Sequence, residues 1–168
     1  MYKTIFSFLF LSIHFSLSAQ QKAIKPQKIT RIGDVKAPIL TSISIPQNKA
    51  YFYTSGLVAP ILDSNAAIGT PERFGDTKTQ AVGTLKAIEK ALQSEGLKMS
   101  DVVYLRAYLA PDKQKSNKCD YQAWFDAYAL YFNNAKNPNK VARATVGVHS
   151  LVNTDWLIEV EAIAVYPD

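Results

Sequence analysis

The sequence predicts an α+β domain in which a mixed sheet carries two helices on one face. Three observations predict it. Two runs of β-branched and aromatic residues come first, a long run with an apolar period of three to four residues follows, and two more apolar runs close the chain after an aromatic stripe at helical spacing. The predicted order is β-β-α-β-α-β-β. Strands interleaved with helices in this way are typical of one sheet with helices packed on a single side.

Residues 1–19 are expected to be a secretory signal peptide. Residues 5–17 contain no ionisable residue except His14, and the small residues Ser18 and Ala19 follow. At ~1.5 Å per residue this run is too short to cross a hydrocarbon core of ~30 Å as a permanent anchor. A buried N-terminal helix is the alternative. We therefore expect an exported protein, periplasmic or secreted, with no stable membrane anchor after cleavage.

Residues 20–36 form a polar, basic lead-in before a domain at 37–168. Five cations lie here against one anion, Asp34, and the cations are Lys22, Lys25, Lys28, Arg31 and Lys36. A basic segment can contact nucleic acid or anionic lipid. This one has almost no interleaved aromatic residues, which favours a solvated, flexible arm and no nucleic-acid partner. The composition of the whole chain, 48% hydrophobic and 20% charged, is that of one globular domain.

The first two strands are predicted at residues 38–45 and 50–55, joined as a hairpin by the loop at 46–49. A long connection at 56–75 follows, rich in proline and glycine. Loops of that length within a compact domain are often functional or cover something.

A helix is predicted from Thr77, where Thr77 and Gln80 have the spacing of a capping box, to Gly96. Its apolar positions are Val82, Leu85, Ile88 and Leu92. A strand is predicted at 102–109. A second helix should begin at the N-cap residue Asp120, and its aromatic stripe indicates a core-facing side; the stripe comprises Tyr121, Trp124, Phe125, Tyr128, Tyr131 and Phe132.

Pro138 ends that segment, and the last two strands are predicted at 141–149 and 157–166. With helices on one face of the sheet, the other face would carry Tyr104, Tyr108, Leu157 and Ile163. These side chains are too apolar for a solvated surface, so we expect other subunits to cover them.

Several classes of chemistry lack sequence support. After the expected signal peptide the chain has one histidine, His149, and one cysteine, Cys119, without a cluster at metal-ligand spacing. We therefore expect no metal. It has no Gly-rich phosphate loop and no nucleophile elbow, so the sequence does not indicate a nucleotide cofactor or an acyl-transfer triad.

Arg143 is the residue that most requires explanation, because it lies within the apolar run from Val141 to Val148. Burying a guanidinium costs several kcal/mol unless an anion compensates it. The planar guanidinium binds carboxylates through two parallel hydrogen bonds. The carboxylate could be internal, since Glu159 and Glu161 alternate with apolar residues in the last strand, or it could belong to a ligand.

Taken together, segments spread over residues 50–165 resemble the Rid (YjgF-type reactive intermediate deaminase) family in their order and spacing. The segments are Thr54-Ser55-Gly56 after a strand, Gly96-Leu97 before Ser100-Asp101-Val102-Val103, the helix from Tyr121 to Phe125, Ala142-Arg143 before Thr145-Val146, and the terminal run Ile158-Glu159-Val160-Glu161-Ala162-Ile163-Ala164-Val165.

The resemblance implies a chorismate-mutase-like fold and a homotrimer, with a sheet-lined barrel and three ligand clefts between subunits. It implies hydrolytic deamination of small 2-imino or enamine acids to 2-oxo acids and ammonia, of the 2-iminobutanoate/2-iminopropanoate deaminase type, without a cofactor. Arg143 would hold the substrate carboxylate and Glu159 would position the attacking water. Ser55 and Thr145 would complete the pocket.

The sequence also departs from the family pattern. Many family deaminases carry Gly-Pro-Tyr near the first strand, where this chain has Leu40-Thr41-Ser42, and Thr145 replaces a frequent cysteine. The loop at 60–75 is longer than in compact members. A trimeric module that binds small carboxylates through Arg143 without turnover is therefore the alternative function. RNA cleavage has been attributed to some family members, but this sequence lacks the histidine pair or the basic and aromatic groove that such an activity would need.

Overall fold

A computed structural model describes residues 25–167 of the chain, so the expected signal peptide lies outside the described residues. The elements in chain order are β1 (Thr30–Ile32), β2 (Ser42–Ser44), β3 (Tyr51–Tyr53), α1 (Pro71–Phe74), α2 (Thr77–Ser94), β4 (Val102–Leu109), α3 (Tyr121–Tyr131), β5 (Ala142–Gly147) and β6 (Ile158–Val165). None of the helices among these residues is long and apolar enough to cross a bilayer.

The main sheet has four strands in the order β3-β6-β4-β5. β4 and β5 run parallel, whereas β6 is antiparallel to both of its neighbours. The long helices α2 and α3 pack against each other, and α2 packs on β6. The prediction of an α+β fold with a mixed sheet and two helices on one face is confirmed. The short α1 is an addition inside the connection predicted at 56–75.

The core lies between the sheet and the two long helices. The fully buried side chains of α2 include Leu85, Ile88 and Leu92, as its apolar period predicts, whereas Val82 is half-buried. Those of α3 include Trp124. Asp120 accepts a hydrogen bond from the Ala123 backbone N–H at 3.0 Å, which confirms it as the N-cap of α3.

The capping box predicted for α2 is wrong. The N-cap is Asp76, whose carboxylate accepts from the Thr79 backbone N–H at 2.8 Å. Gln80 is buried and bonds elsewhere: its amide donates to the carbonyl oxygens of Gly75 and Asp155 and accepts from the Leu157 N–H. The side chain thus joins the start of α2 to the segment before β6, and long-range bonds replace the local one.

The hairpin predicted between the first two strands is also wrong. β2 pairs with β1 in a separate two-stranded sheet, while β3 pairs with β6, where Tyr51 lies opposite Val165 and Tyr53 opposite Ile163. β1 falls in the segment expected to be a solvated arm. It is fixed by Arg31, whose guanidinium donates to the carbonyl oxygens of residues 100, 102 and 140 at 2.6 to 3.2 Å. Sequence periodicity carries no signal for such a contact.

The sheet face opposite the helices carries aromatic and apolar side chains around the ion pair of Arg106 and Glu161. Tyr104 and Ile163 are paired there and half-buried, as is Tyr108, whereas Tyr53 of the edge strand β3 is 64% exposed. Leu157 does not share this position; it precedes β6 and lines a small cavity beside α2. Three of the four residues expected on the uncovered face therefore lie on it.

Candidate functional site

Strand register determines the direction of Arg143. In the parallel pair of β4 and β5, Arg143 lies opposite Leu105 and Thr145 opposite Ala107. Paired residues share a sheet face, and both Leu105 and Ala107 are fully buried beneath the helices. Arg143 and Thr145 therefore point toward α3.

Three aromatic rings of α3 surround the guanidinium of Arg143. Its central carbon lies 4.4 Å from the ring centroid of Tyr128, 4.9 Å from Phe125 and 5.5 Å from Trp124. These distances are within the range of cation–π attraction. The spacing of four between Trp124 and Tyr128, with Phe125 between them, places the rings on one side of the helix. The stripe interpreted as core thus also forms a cage around the arginine.

The guanidinium is held without an anion. Its Nη1 is buried and has no hydrogen-bond partner, and no carboxylate of the described residues forms an ion pair with it. Burial lowers the pKa of Arg143 from its usual value, although Tyr128 acts in the opposite direction. An unpaired buried donor of this kind costs about 1–3 kcal/mol. A bound carboxylate would remove that cost.

Two side chains of the cage are themselves fixed by hydrogen bonds. The Tyr128 hydroxyl donates to the Pro38 carbonyl at 3.3 Å and lies 3.4 Å from the Val141 N–H, which donates to it. Burial raises the pKa of Tyr128, so the phenol stays neutral. The Trp124 indole N–H donates to the Thr145 hydroxyl at 3.1 Å. Thr145 is thereby oriented next to the cage.

A cavity of about 380 Å³ opens beside the guanidinium. Its walls are apolar except for the arginine and one amide, and the lining residues are Pro38, Ile39, Phe125, Tyr128, Ala129, Phe132, Asn133 and Arg143. The sequence prediction missed Ile39 and Pro38, because it assigned residues 38–45 to a strand and matched the family tyrosine to positions 40–42. Leu40 is instead buried and forms a bridge to Ala142 of β5.

Glu159 lies on the other face of the sheet. It is paired with Tyr108 of β4, so it shares the face that carries the tyrosines. It is packed directly on Gly56, where an added Cβ would overlap the Glu159 carboxylate. Ser55 precedes this glycine, is exposed, and follows the edge strand β3. One chain therefore brings Glu159 against Gly56 and keeps it on the opposite face of the sheet from Arg143.

The internal ion pair considered for Arg143 is absent. Glu161 accepts from Arg106 and from the Tyr108 hydroxyl, each at 3.2 Å, on the face that Glu159 also occupies. Of the two carboxylates considered, neither can reach the guanidinium through the sheet. Within residues 25–167, moreover, no group of three or more His, Cys, Asp or Glu side chains is arranged to hold a metal ion.

Comparison with known proteins identifies the family of this chain. A family model described as endoribonuclease L-PSP matches residues 46–166. The chain belongs to this family. It includes the Rid and YjgF proteins, so the resemblance inferred from the sequence is confirmed.

Solved structures show the same fold across the L-PSP family. A Rid-family protein of Yersinia pestis matches with a TM-score of 0.60 at 21% identity, covering 83% of this chain and 99% of that one. A YjgF-family protein of Mycobacterium tuberculosis gives 0.51 at 19%, covering 83% and 100%. Escherichia coli TdcF with bound serine gives 0.53 at 21%, covering 82% and 99%. The chorismate-mutase-like fold expected from the resemblance is thus confirmed.

Proposed function

We propose that this protein is a hydrolytic deaminase of reactive 2-imino and enamine acids, of the 2-iminobutanoate/2-iminopropanoate type. The observation that carries the proposal is the caged guanidinium of Arg143, buried without an anion at the side of a ligand-sized cavity. A carboxylate is the group that best satisfies a planar guanidinium. The serine bound to TdcF, which has a similar fold, is itself a small carboxylate.

The residues of this chain supply orientation and proton transfer in the proposed reaction. Arg143 binds the carboxylate and fixes the C=N carbon relative to the attacking water. Glu159 accepts a proton from that water as the water oxygen bonds to carbon, and passes it to the imine nitrogen as the C=N π bond breaks. The hydroxyl proton of the tetrahedral adduct then moves to the nitrogen, and the C–N bond breaks to release ammonia and the 2-oxo acid. No external oxidant or reductant is required.

This chemistry requires two copies of the chain. Arg143 and Glu159 lie on opposite faces of one sheet, so a single chain cannot direct both at one substrate. We propose a homotrimer whose clefts take Arg143 from one subunit and Glu159, with Ser55, from the next. The uncovered face with Tyr104, Tyr108 and Ile163 favours such assembly, because apolar patches of this kind usually mark interfaces.

The second candidate function is binding without turnover. The caged arginine and its cavity are complete within one chain, whereas the pairing with Glu159 is not. A carboxylate-binding module would use the caged arginine and its cavity and would not need Glu159. A small-molecule site is favoured over an RNA site, because the cavity offers one cation among apolar walls rather than a row of cations along a groove. The expected signal peptide would place either function outside the cytoplasm.

A turnover assay separates the two candidates. Imino acids are generated in situ by an amino-acid oxidase, and the release of 2-oxo acid is followed with and without this protein. The deaminase proposal predicts acceleration that saturates with imine and disappears in Arg143→Lys. Binding of 2-oxo acids with no acceleration would support the binding module instead.

A further inference from the structure

We infer that this site prefers substrates whose side chain is bulky and apolar, such as the imino acids derived from leucine or phenylalanine. The inference rests on the proposed function and adds a substrate class to it. It comes from the cavity beside Arg143, which is larger and more apolar than a methyl or ethyl side chain requires.

The position of the arginine fixes the direction in which a ligand extends. Three rings of α3 hold the guanidinium, and Arg143 forms part of the cavity wall. A carboxylate paired with the guanidinium therefore sits at that wall. The substituent on the neighbouring carbon has the remaining cavity available, whose lining includes Ile39, Phe125 and Phe132.

The size of the cavity favours a large substituent. About 380 Å³ lies within the range of roughly 300–1,000 Å³ found for small-molecule pockets. A two- or three-carbon acid would leave most of it to water in contact with apolar walls. Each additional methylene that fills an apolar pocket improves discrimination by about tenfold or more, so a leucine-derived imine should exceed an alanine-derived one by at least that factor.

The chemistry of the walls also disfavours polar substituents. Away from Arg143, the single side-chain amide in the lining is that of Asn133, an exposed residue in the left-handed region. A carboxylate or amide placed among Ile39 and Phe132 would lose water without gaining hydrogen bonds. Substrates derived from aspartate or glutamine should therefore react more slowly than their apolar counterparts of similar size.

The experiment compares substrates across variants that narrow the cavity. Ala129 lines it from the exposed side of α3, so Ala129→Phe adds volume there without altering the core. Leu130→Phe is the matched control, because Leu130 is 61% exposed and is not among the lining residues. We expect kcat/KM for the leucine-derived imine to fall about tenfold in Ala129→Phe, the alanine-derived imine to be affected far less, and Leu130→Phe to behave as the parent protein.

The outcomes separate the inference from the proposed function. Equal kcat/KM values for the alanine- and leucine-derived imines, unchanged in Ala129→Phe, would overturn the proposed substrate class. The proposed deaminase activity would still hold. If no imine is hydrolysed, calorimetry with pyruvate and 4-methyl-2-oxopentanoate still tests the cavity. Tighter binding of the bulkier acid, lost in Ala129→Phe, supports the inference. Equal binding of the two acids overturns it.

Discussion

The two faces of the main sheet differ in how complete they are within one chain. On the helix side, Arg143 and Thr145 are held by hydrogen bonds and rings from α3, and a cavity is already formed. On the other side, Glu159 is packed on Gly56 beside exposed Ser55, and the surrounding tyrosines lack cover within the chain. The first face resembles a finished binding site. The second resembles half of an interface.

The difference between the two faces separates carboxylate recognition from water activation, two roles that the sequence analysis assigned to one site. Recognition of a carboxylate can belong to a single subunit, because every group that fixes Arg143 comes from the same chain. Activation of water cannot, because Glu159 lies across the sheet. Binding and turnover should therefore respond differently to mutation and to assembly, and the following variants test that separation.

Arg143→Lys should have the largest effect. A point charge replaces the planar fork, so we expect weaker carboxylate binding and poorer orientation, with kcat/KM lower by on the order of 10³-fold. The fold and the assembly should persist, since no hydrogen bond or ion pair within the described residues depends on the guanidinium. Steady-state kinetics measure the loss of kcat/KM, and circular dichroism checks that the fold persists. Near-normal turnover would reject the role of Arg143 as a carboxylate clamp.

Glu159→Gln should slow the reaction without removing recognition. Loss of a general acid/base lowers kcat by about 10²-fold, while the affinity for a 2-oxo acid should change little because Arg143 is intact. Glu161→Gln is the control on the same face, where that carboxylate is bound by Arg106 and Tyr108. Equal losses of affinity and rate in Glu159→Gln would instead indicate that Glu159 of one subunit positions Arg143 of the next rather than the attacking water.

Gly56→Ala should have a smaller effect that acts through Glu159. The new Cβ would overlap the carboxylate and force it to move, so we expect kcat to fall about tenfold with carboxylate affinity unchanged, because small misplacements reduce rates steeply. Added to Glu159→Gln, the change should cause no further loss, since both variants disable the same group. Fully additive losses would show that Gly56 acts independently of Glu159.

Sequence patterns predicted the elements that depend on local periodicity. The apolar period of α2 and the N-cap Asp120 of α3 have the predicted roles. The wrong predictions depend on long-range contacts: the pairing of β2 with β1, the anchoring of Arg31, and the tie from Gln80 to Leu157. Such contacts join residues far apart in the chain, so no local window contains their signal.

The candidate site shows the same limit. The apolar strand around Arg143 identified the guanidinium as a residue in need of an anion, and the aromatic stripe was recognised as core-facing. The register of β5 against β4 and the packing of α3 bring the guanidinium and the aromatic stripe together in one cage, and neither can be read from the sequence. The register also places Glu159 on the opposite face, which spacing along the chain could not decide while the pairing of the strands was unknown.

The most direct test of the two-subunit site mixes two inactive variants. Arg143→Lys and Glu159→Gln chains are coexpressed in equal amounts, and the assemblies are checked by light scattering and native mass spectrometry. If each cleft takes Arg143 from one subunit and Glu159 from the next in a trimer, random mixing restores about a quarter of the clefts, and activity should return to about that fraction of the parent protein. Mixed trimers no more active than either variant alone, or a fully active monomer of the parent protein, would contradict the account.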